Sequence, residues 1–426
     1  MSQQATPAKA RRALIAGSVG NFIEWYEFGV YGFLATAIAA NFFAQDGGAP
    51  LEALIRTYAS FALAFFFRPL GAWLFGRLGD RFGRRPVLIA VLVLMSVATT
   101  LIGVLPTAAT VGAAAPVLLT CVRVLQGLSA GGEFGGAVAV MTEFAPPGRR
   151  GRYGAWQSFT VALGLLAGAG TVWLVGAVLG ADQLQAWGWR IPFLLALPLG
   201  AVALFLRLRL DETPQFERLR AADPGVVEVA PLGETVRAIG LGIARLMGWA
   251  AAGYTFLVVL PAYLEKALGS SVDAALTAAV LANLGFAAAI LPAGWASDRV
   301  GRRPIMLLGA GATLVLALPL LWLLSADVGI VPRAIGLLLA GASVGLMAGP
   351  GPAMLSEMFP TSVRYTGLGL SYSLANAVFS GSAGLIITQL VAWSGNKAVP
   401  AYYVMITCAV SFVALLSLPR KPEPER

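Results

Sequence analysis

Twelve times along this chain an apolar run long enough to cross a bilayer recurs. The runs fall at about residues 13–39, 53–76, 86–105, 112–143, 153–179, 190–209, 238–264, 273–296, 304–325, 331–356, 367–393 and 400–418. A hydrocarbon core about 30 Å thick is spanned by roughly 20 residues of helix. Lipid offers no partner to a free backbone N–H or carbonyl, so runs of this kind must be helices and the segments between them loops. The runs at 190–209 and 400–418 lie near the short limit. Composition agrees, because 58% of the 426 residues are hydrophobic and only 12% charged. A soluble chain is about 25% charged, so this one has too little polar surface to meet water all round, and a soluble enzyme is excluded.

The distribution of charge says more than its sum. Of the 30 lysines and arginines, 22 fall in connections on one side of the twelve-run pattern and five (Arg56, Arg190, Lys266, Arg333, Lys397) on the other. Three, Arg68, Arg123 and Arg245, sit inside apolar runs. The positive-inside rule then puts both termini in the cytoplasm. The net charge of +9 is a topology signal, and no nucleic-acid partner is expected. MSQQATPAKARR precedes a long apolar run with no small-residue cleavage site, which predicts a retained first helix. Cys121 and Cys408 lie in separate runs and read as packing residues. With no histidine in the chain, proton traffic has to run on carboxylates, and no metal or cofactor is expected beyond the proton itself.

The chain also repeats. GRLGDRFGRRP at 76–86 returns as GWASDRVGRRP at 294–304, and EFAPPGRRGRYG at 143–154 returns more loosely as EMFPTSVRYTG at 357–367. The repeat predicts two six-helix bundles, 1–209 and 238–426, joined by a cytoplasmic loop at 210–237. Parallel repeats with a site between them are a build of secondary transporters.

These motifs carry a family resemblance. GRLGDRFGRR resembles the loop signature between the second and third helices of the major facilitator superfamily, and RVLQG at 123–127 its fourth-helix motif. GNFIEWYEFGVYG, RPLGAWLFGRLGDRFGRRP, RVLQGLSAGGEFGGA, ETPQF and EMFPTSVRYTGLGLSYSLANAVFSG resemble its metabolite:proton symporters. That group includes transporters of shikimate, α-ketoglutarate, citrate, aromatic carboxylates, proline and betaine. The resemblance covers the whole chain. It implies an all-α membrane fold of twelve helices in two halves related by a pseudo-two-fold axis along the membrane normal. Three features depart from relatives: Glu27 stands where an Asp usually follows the WY pair, the fifth run lacks the GP motif of drug antiporters, and RKPEPER stands where the osmosensing branch carries a coiled coil.

Asn21, Glu24, Glu27, Phe28 and Tyr31 share one face of the first helix by helical spacing, with Trp25, Tyr26 and Val30 pointing elsewhere. Arg123, Gln126 and Glu133 share a face of the fourth. At 1.5 Å per residue, Glu24 lies roughly 17 Å and Glu27 roughly 21 Å up the first helix, while Arg123 lies roughly 17 Å down the fourth. Glu27 and Arg123 are therefore expected to meet, on a face turned into the cavity between the halves. Burial favours the neutral acid and a guanidinium the carboxylate, which is the balance proton coupling needs. The resemblance implies the same pair, since sugar symporters of the superfamily match a first-helix acid with a fourth-helix Arg. Glu24 and Glu133 are expected as further carriers or structural anchors, the latter beside Arg68.

For substrate, Arg245 is the expected anion contact unless it reaches out to the interface. Tyr31, Gln126, Trp156, Gln157, Trp249, Tyr254, Tyr372, Asn376 and Gln389 are candidate cavity residues. Asp80, Arg81, Arg84, Arg85 and Glu143 in one half, and Asp298, Arg299, Arg302, Arg303 and Glu357 in the other, are expected to form a cytoplasmic gate. The reading is a monomeric, multi-pass transporter of the bacterial cytoplasmic membrane that takes up a small organic acid with protons. The alternatives are a zwitterionic osmolyte such as proline or betaine, or a sugar. A non-transporting sensor is expected to carry a long signalling extension, and a membrane enzyme a nucleophile–base or metal constellation, neither of which is written here.

Overall fold

The computed structural model describes residues 7–44, 50–82, 84–143, 145–146, 148–209, 231–325, 329–359 and 364–419. Among these the secondary structure is helical, with no strand. Twelve helical spans follow in order: α1 Pro7–Phe33, α2 Leu51–Phe75, α3 Arg85–Val104, α4 Ala114–Val138, α5 Arg150–Leu179, α6 Arg190–Leu208, α7 Gly233–Leu268, α8 Val272–Val300, α9 Arg302–Ser325, α10 Ile330–Glu357, α11 Gly367–Ser394 and α12 Val399–Leu415. Ten are long and apolar enough by themselves to cross a membrane. The other two are α1, diluted by Asn21, Glu24 and Glu27, and α12, with 17 residues. Residues 210–230 of the expected central loop lie outside the described residues, and helix resumes at Leu232, earlier than the expected 238.

The outer surface is apolar, as lipid requires: Trp393 is 84% and Ile330 78% exposed. The polar side chains are turned inward. Each half packs its helices closely through glycines placed where a methyl group would strike a neighbouring backbone. Gly127 of α4 faces the carbonyl of Ala64 on α2, and Gly341 of α10 faces that of Ala282 on α8. Corresponding helix pairs thus use one device, in which a missing side chain lets two backbones approach and gain dispersion contact.

The halves meet along α5–α8 and α2–α11. At the end bearing the repeated basic loops, Gly294 of α8 lies against the Gly151 carbonyl and Ala155 of α5, and Gly154 of α5 against Ala353 of α10. Toward the opposite end Gly32 of α1 faces Val258 of α7, while Gly381 and Gly384 of α11 seat the rings of Phe65 and Tyr58 from α2. The seam is therefore shut on both sides of the bilayer centre. Two helices depart from α geometry beside that centre: α7 makes a π turn at Thr255–Val259 and α11 one at Asn376–Gly381. Such turns displace one residue from the helical ladder and often mark functional sites.

Replacing Gly294 by valine is expected to hold α5 and α8 apart. Spin labels at positions 149 and 299, in a background lacking both cysteines, should report a longer distance than in the parent. An unchanged distance would show that this contact does not keep that end shut.

Candidate functional site

The first half buries three carboxylates and three guanidiniums. Glu24, Glu27 and Glu133 are at most 4% exposed, as are Arg68, Arg123 and Arg207. A charge left alone at this depth costs several kcal/mol, and the packing sorts the six groups into three sets. Arg68 lies 3.5 Å from Glu24 and stacks on Phe28 and Phe65, its Cζ 4.2 and 4.0 Å from the ring centroids. Arg207, near the end of α6, forms a two-pronged ion pair with Glu133 and donates to the Leu88 carbonyl at 2.6 Å.

The third set corrects an expectation. Glu27 and Arg123 do not touch. Arg123 Nη1 donates to Gln126 Oε1 at 2.6 Å, Gln126 Nε2 donates to Thr99 Oγ1 at 2.5 Å, and Thr99 Oγ1 donates to Glu27 Oε2 at 2.7 Å. Two neutral side chains separate acid from base. The physical reason is aromatic: Tyr31, Phe61 and Phe28 hold the Arg123 guanidinium at 4.1, 4.9 and 5.1 Å from their ring centroids. Glu27 Oε1, Arg123 Nε and Arg123 Nη2 find no hydrogen-bond partner among the described residues.

The cavity between the halves holds a second surprise. It is lined by Trp25, Leu246, Trp249, Tyr254, Phe286, Tyr372, Asn376 and Ser380, among others, and by neither Glu24 nor Glu27. The acidic face of α1 turns into its own half, and Trp25, one residue from Glu24 and so about 100° round the helix, faces the cavity instead. At about 30 Å³ the cavity admits water but no solute of amino-acid size, so the molecule is closed around a contracted site. Trp25 and Tyr254 lie 6.0 Å apart by ring centroid, Trp249 and Tyr372 6.3 Å. Tyr372 also stacks on Phe134 of α4 at 3.3 Å, so this wall is built from both halves. Ser380 Oγ donates to the Ala250 carbonyl, tying the α11 π turn to α7. The Tyr254 hydroxyl has no partner among the described residues.

Of the expected cavity residues, Trp249, Tyr254, Tyr372 and Asn376 line it. Tyr31 instead bonds Ser60 at 2.6 Å and gives its ring to Arg123, and Gln126 belongs to the Thr99 bridge. Trp156 and Gln157 are spent tying α5 to α1, through Ser18 at 2.9 Å and Asn21 at 3.2 Å. Gln389 is exposed on the outer side of α11. Arg245 points away from the cavity to the end of α12, where it bonds the Ala414 carbonyl and Ser417. Helix-terminal carbonyls lack intrahelical partners, and the long arm supplies donors to them. Glu133 pairs with Arg207 rather than Arg68, because Gly20 of α1 leaves room that a side chain would fill. Sequence reasoning did not single out Trp25, Thr99, Arg207 or Ser380 for the site.

At the basic-loop end, Asp298 accepts from the backbone N–H groups of Gly151 and Arg152 at 2.7 and 2.9 Å. An α8 carboxylate thereby caps the first turn of α5 in the other half, where the helix dipole favours negative charge. Arg302 donates to Asp298 at 2.7 Å and to Glu357 at 3.0 Å, extending the network to α10. Arg299 and Arg303 do not join it. Arg299 stacks 3.7 Å above Trp295 on its own helix, and Arg303 donates to the Leu418 carbonyl. Arg85, exposed, donates to the Leu208 carbonyl within its own half. The side chains of Asp80, Arg81, Arg84 and Glu143 lie outside the described residues.

Residues 13–223 match the family described as "Sugar (and other) transporter" and residues 238–426 the one described as "Major Facilitator Superfamily". The ectoine/proline transporter ProP of Corynebacterium glutamicum is 39% identical, over 96% of this chain and 84% of that protein. The proline/betaine transporter of Escherichia coli K12 is 36% identical, over 95% and 82%. Among solved structures, the proton:xylose symporter XylE superposes with a TM-score of 0.77 at 17% identity, over 97% of this chain and 95% of that one, a likeness of fold.

Arg245→Ala removes donors from the end of α12 and is expected to cost about 1–2 kcal/mol. It should lower the Tm in detergent and leave substrate affinity within about twofold, far below the tenfold that about 1.4 kcal/mol of binding represents. A selective loss of anion binding at unchanged Tm would restore it to the substrate site.

Proposed function

The chain belongs to the major facilitator superfamily, and from that premise we propose that it takes up small zwitterionic osmolytes of the proline, betaine and ectoine kind together with protons. It would do so by alternating access in a bacterial cytoplasmic membrane, with both termini inside. The relatives' names carry the substrate class, and the wall of the cavity supports it. Five aromatic rings, Trp25, Trp249, Tyr254, Phe286 and Tyr372, surround a space whose lining includes no Lys, Arg, Asp or Glu. A quaternary ammonium cannot donate a hydrogen bond and is recognised by aromatic faces, each contributing about 1–2 kcal/mol when dry. The unpartnered Tyr254 hydroxyl is a donor for the carboxylate, and Arg68 stands behind the wall, its Cζ 5.8 Å from the ring centroid of Trp25. A molecule of zero net charge suits an uncharged wall better than a simple organic anion does, so the organic-acid expectation gives way to its zwitterionic alternative. A sugar would want more donors and acceptors than this aromatic lining offers.

Charge neutrality supplies the coupling. With Glu24, Glu27 and Glu133 all ionised they balance the three buried arginines of the first half, Arg68, Arg123 and Arg207. Protonating Glu27, whose Oε1 is unpartnered, leaves one positive charge in excess there. A substrate carboxylate approaching Arg68 offsets it, so proton and substrate each favour the other's presence. Return of the empty carrier then requires Glu27 to release its proton.

In proteoliposomes with an imposed inward proton gradient, glycine betaine, proline or ectoine should accumulate, while citrate, α-ketoglutarate and xylose should not. Accumulation of a dicarboxylate or sugar without any zwitterion would overturn the proposal. Glu27→Gln should abolish gradient-driven accumulation and keep counterflow exchange. Trp249→Ala should raise the half-saturation concentration for glycine betaine by roughly 5–30-fold, the equivalent of about 1–2 kcal/mol.

A further inference from the structure

A second, smaller cavity lies wholly inside the first half. Its volume is about 10 Å³, and Gly20, Glu24, Met95, Ser129, Ala130 and Glu133 are among the residues that line it. That is about the room one water needs, provided it finds two or more polar partners. Two carboxylates face it from different helices. Glu24 Oε2, on a residue 4% exposed, has no hydrogen-bond partner among the described residues. The wall on the α1 side is Gly20, one turn below Glu24. A methyl group there would collide with the Arg207 guanidinium and the Glu133 carboxylate. None of the six residues named lines the central cavity.

We propose that this cavity holds one water that bridges Glu24 to Glu133 and carries protons from the middle of the first half toward the basic-loop end, by a route separate from the substrate's. The proposal rests on the proton-coupled reading above and deepens it. In the transfer, the O–H bond of protonated Glu24 breaks as the water takes its proton. The water gives one of its own hydrogens to a Glu133 oxygen, leaving Glu24 ionised, Glu133 neutral and the water restored. Four groups set the balance. Arg68 of α2 lies 3.5 Å from Glu24, Arg207 of α6 grips Glu133, Glu133 acts on Glu24 as a like charge, and both act so on Glu27. Protonating Glu133 loosens its hold on Arg207, the penultimate residue of α6, which opens the way out at that end.

Two measurements test the route. A structure of the wild-type protein resolving ordered waters should show one within hydrogen-bond distance of both Glu24 Oε2 and a Glu133 oxygen; an empty cavity in such a map overturns the proposal. Ala130→Val fills the space with two methyl groups and leaves every ion pair in place. It should slow gradient-driven glycine betaine uptake at least about tenfold, at the low end of what a positioned proton carrier contributes, with counterflow within about twofold. Driven uptake at the parental rate overturns the route. If the parent protein itself accumulates no zwitterion under a proton gradient, the transport reading fails instead, and the water map decides the bridge by itself. Should Ala130→Val not fold, that same map remains decisive.

Discussion

Hydrocarbon cannot solvate a charge, and the rest of this structure follows from how six charges are kept out of its reach. All six sit in the first half and sum to zero. One ion pair is bidentate, one is looser and backed by aromatic rings, and one is stretched through Thr99 and Gln126. The tight pair, Glu133–Arg207, stays closed for as long as Glu133 is ionised. The stretched set leaves both its acid and its base with unsatisfied atoms. Buried polar groups with missing partners are expensive, so a device that must change its charge state in each cycle belongs there.

The second half is built to a different purpose. Its described membrane interior carries only one cation, Arg245, and that one is tied to the end of α12. In place of charge it offers two π turns and the aromatic side chains Trp249, Tyr254 and Tyr372 that close the central cavity against Trp25. One half holds the ionic balance and the other most of the apolar wall, although the repeated glycines show that both descend to the same packing scheme. Trp25 and Tyr254 cross that division: a first-half ring and a second-half ring meet at 6.0 Å. A substrate touching both would sense the position of α1, the helix that carries Glu24 and Glu27.

Much of this was legible in the sequence, for physical reasons that can be named. Hydropathy located all twelve spans because lipid punishes polar exposure at every residue, and the 76–86 and 294–304 repeat marked corresponding helix ends. The acidic residues of α1 were found because a carboxylate in an apolar run is conspicuous. Their direction was misread: helical spacing groups Glu24 with Glu27 but does not say which neighbour that face meets, and it met α2, α3 and α4 rather than the cavity. Arg207 escaped notice because a cation at a span's end looks like a topology signal, while its arm reaches back to Glu133 through the space Gly20 leaves. Thr99 was one hydroxyl among several in TTLIG, where only the fold shows that it joins Gln126 to Glu27. Arg245 drew attention as a lone intramembrane cation, and packing gave it a helix-end role that spacing could not show.

The two ends of the seam are closed by unlike forces, and that difference bears on how a cycle of opening could run. Toward the end opposite the basic loops α1 and α2 seat against α7 and α11 through Gly32, Gly381 and Gly384, contacts that are apolar, short-ranged and lost gradually as surfaces slide. At the basic-loop end Asp298 joins a carboxylate of one half to two backbone N–H groups of the other, with Arg302 and Glu357 behind it. Breaking that cap leaves orphaned donors at the start of α5 and an under-paired acid on α8, so separation there is closer to all-or-none. A carrier needs one side to stay firmly shut while the other samples openness. The apolar end is suited to yield by degrees to an incoming solute. The ionic end is suited to hold until the charge state of the first half has changed, since α5, which Asp298 caps, also carries the Gln157 and Thr160 contacts to Asn21 on α1. The helix bearing Glu27 and the helix capped by Asp298 are therefore tied directly to each other.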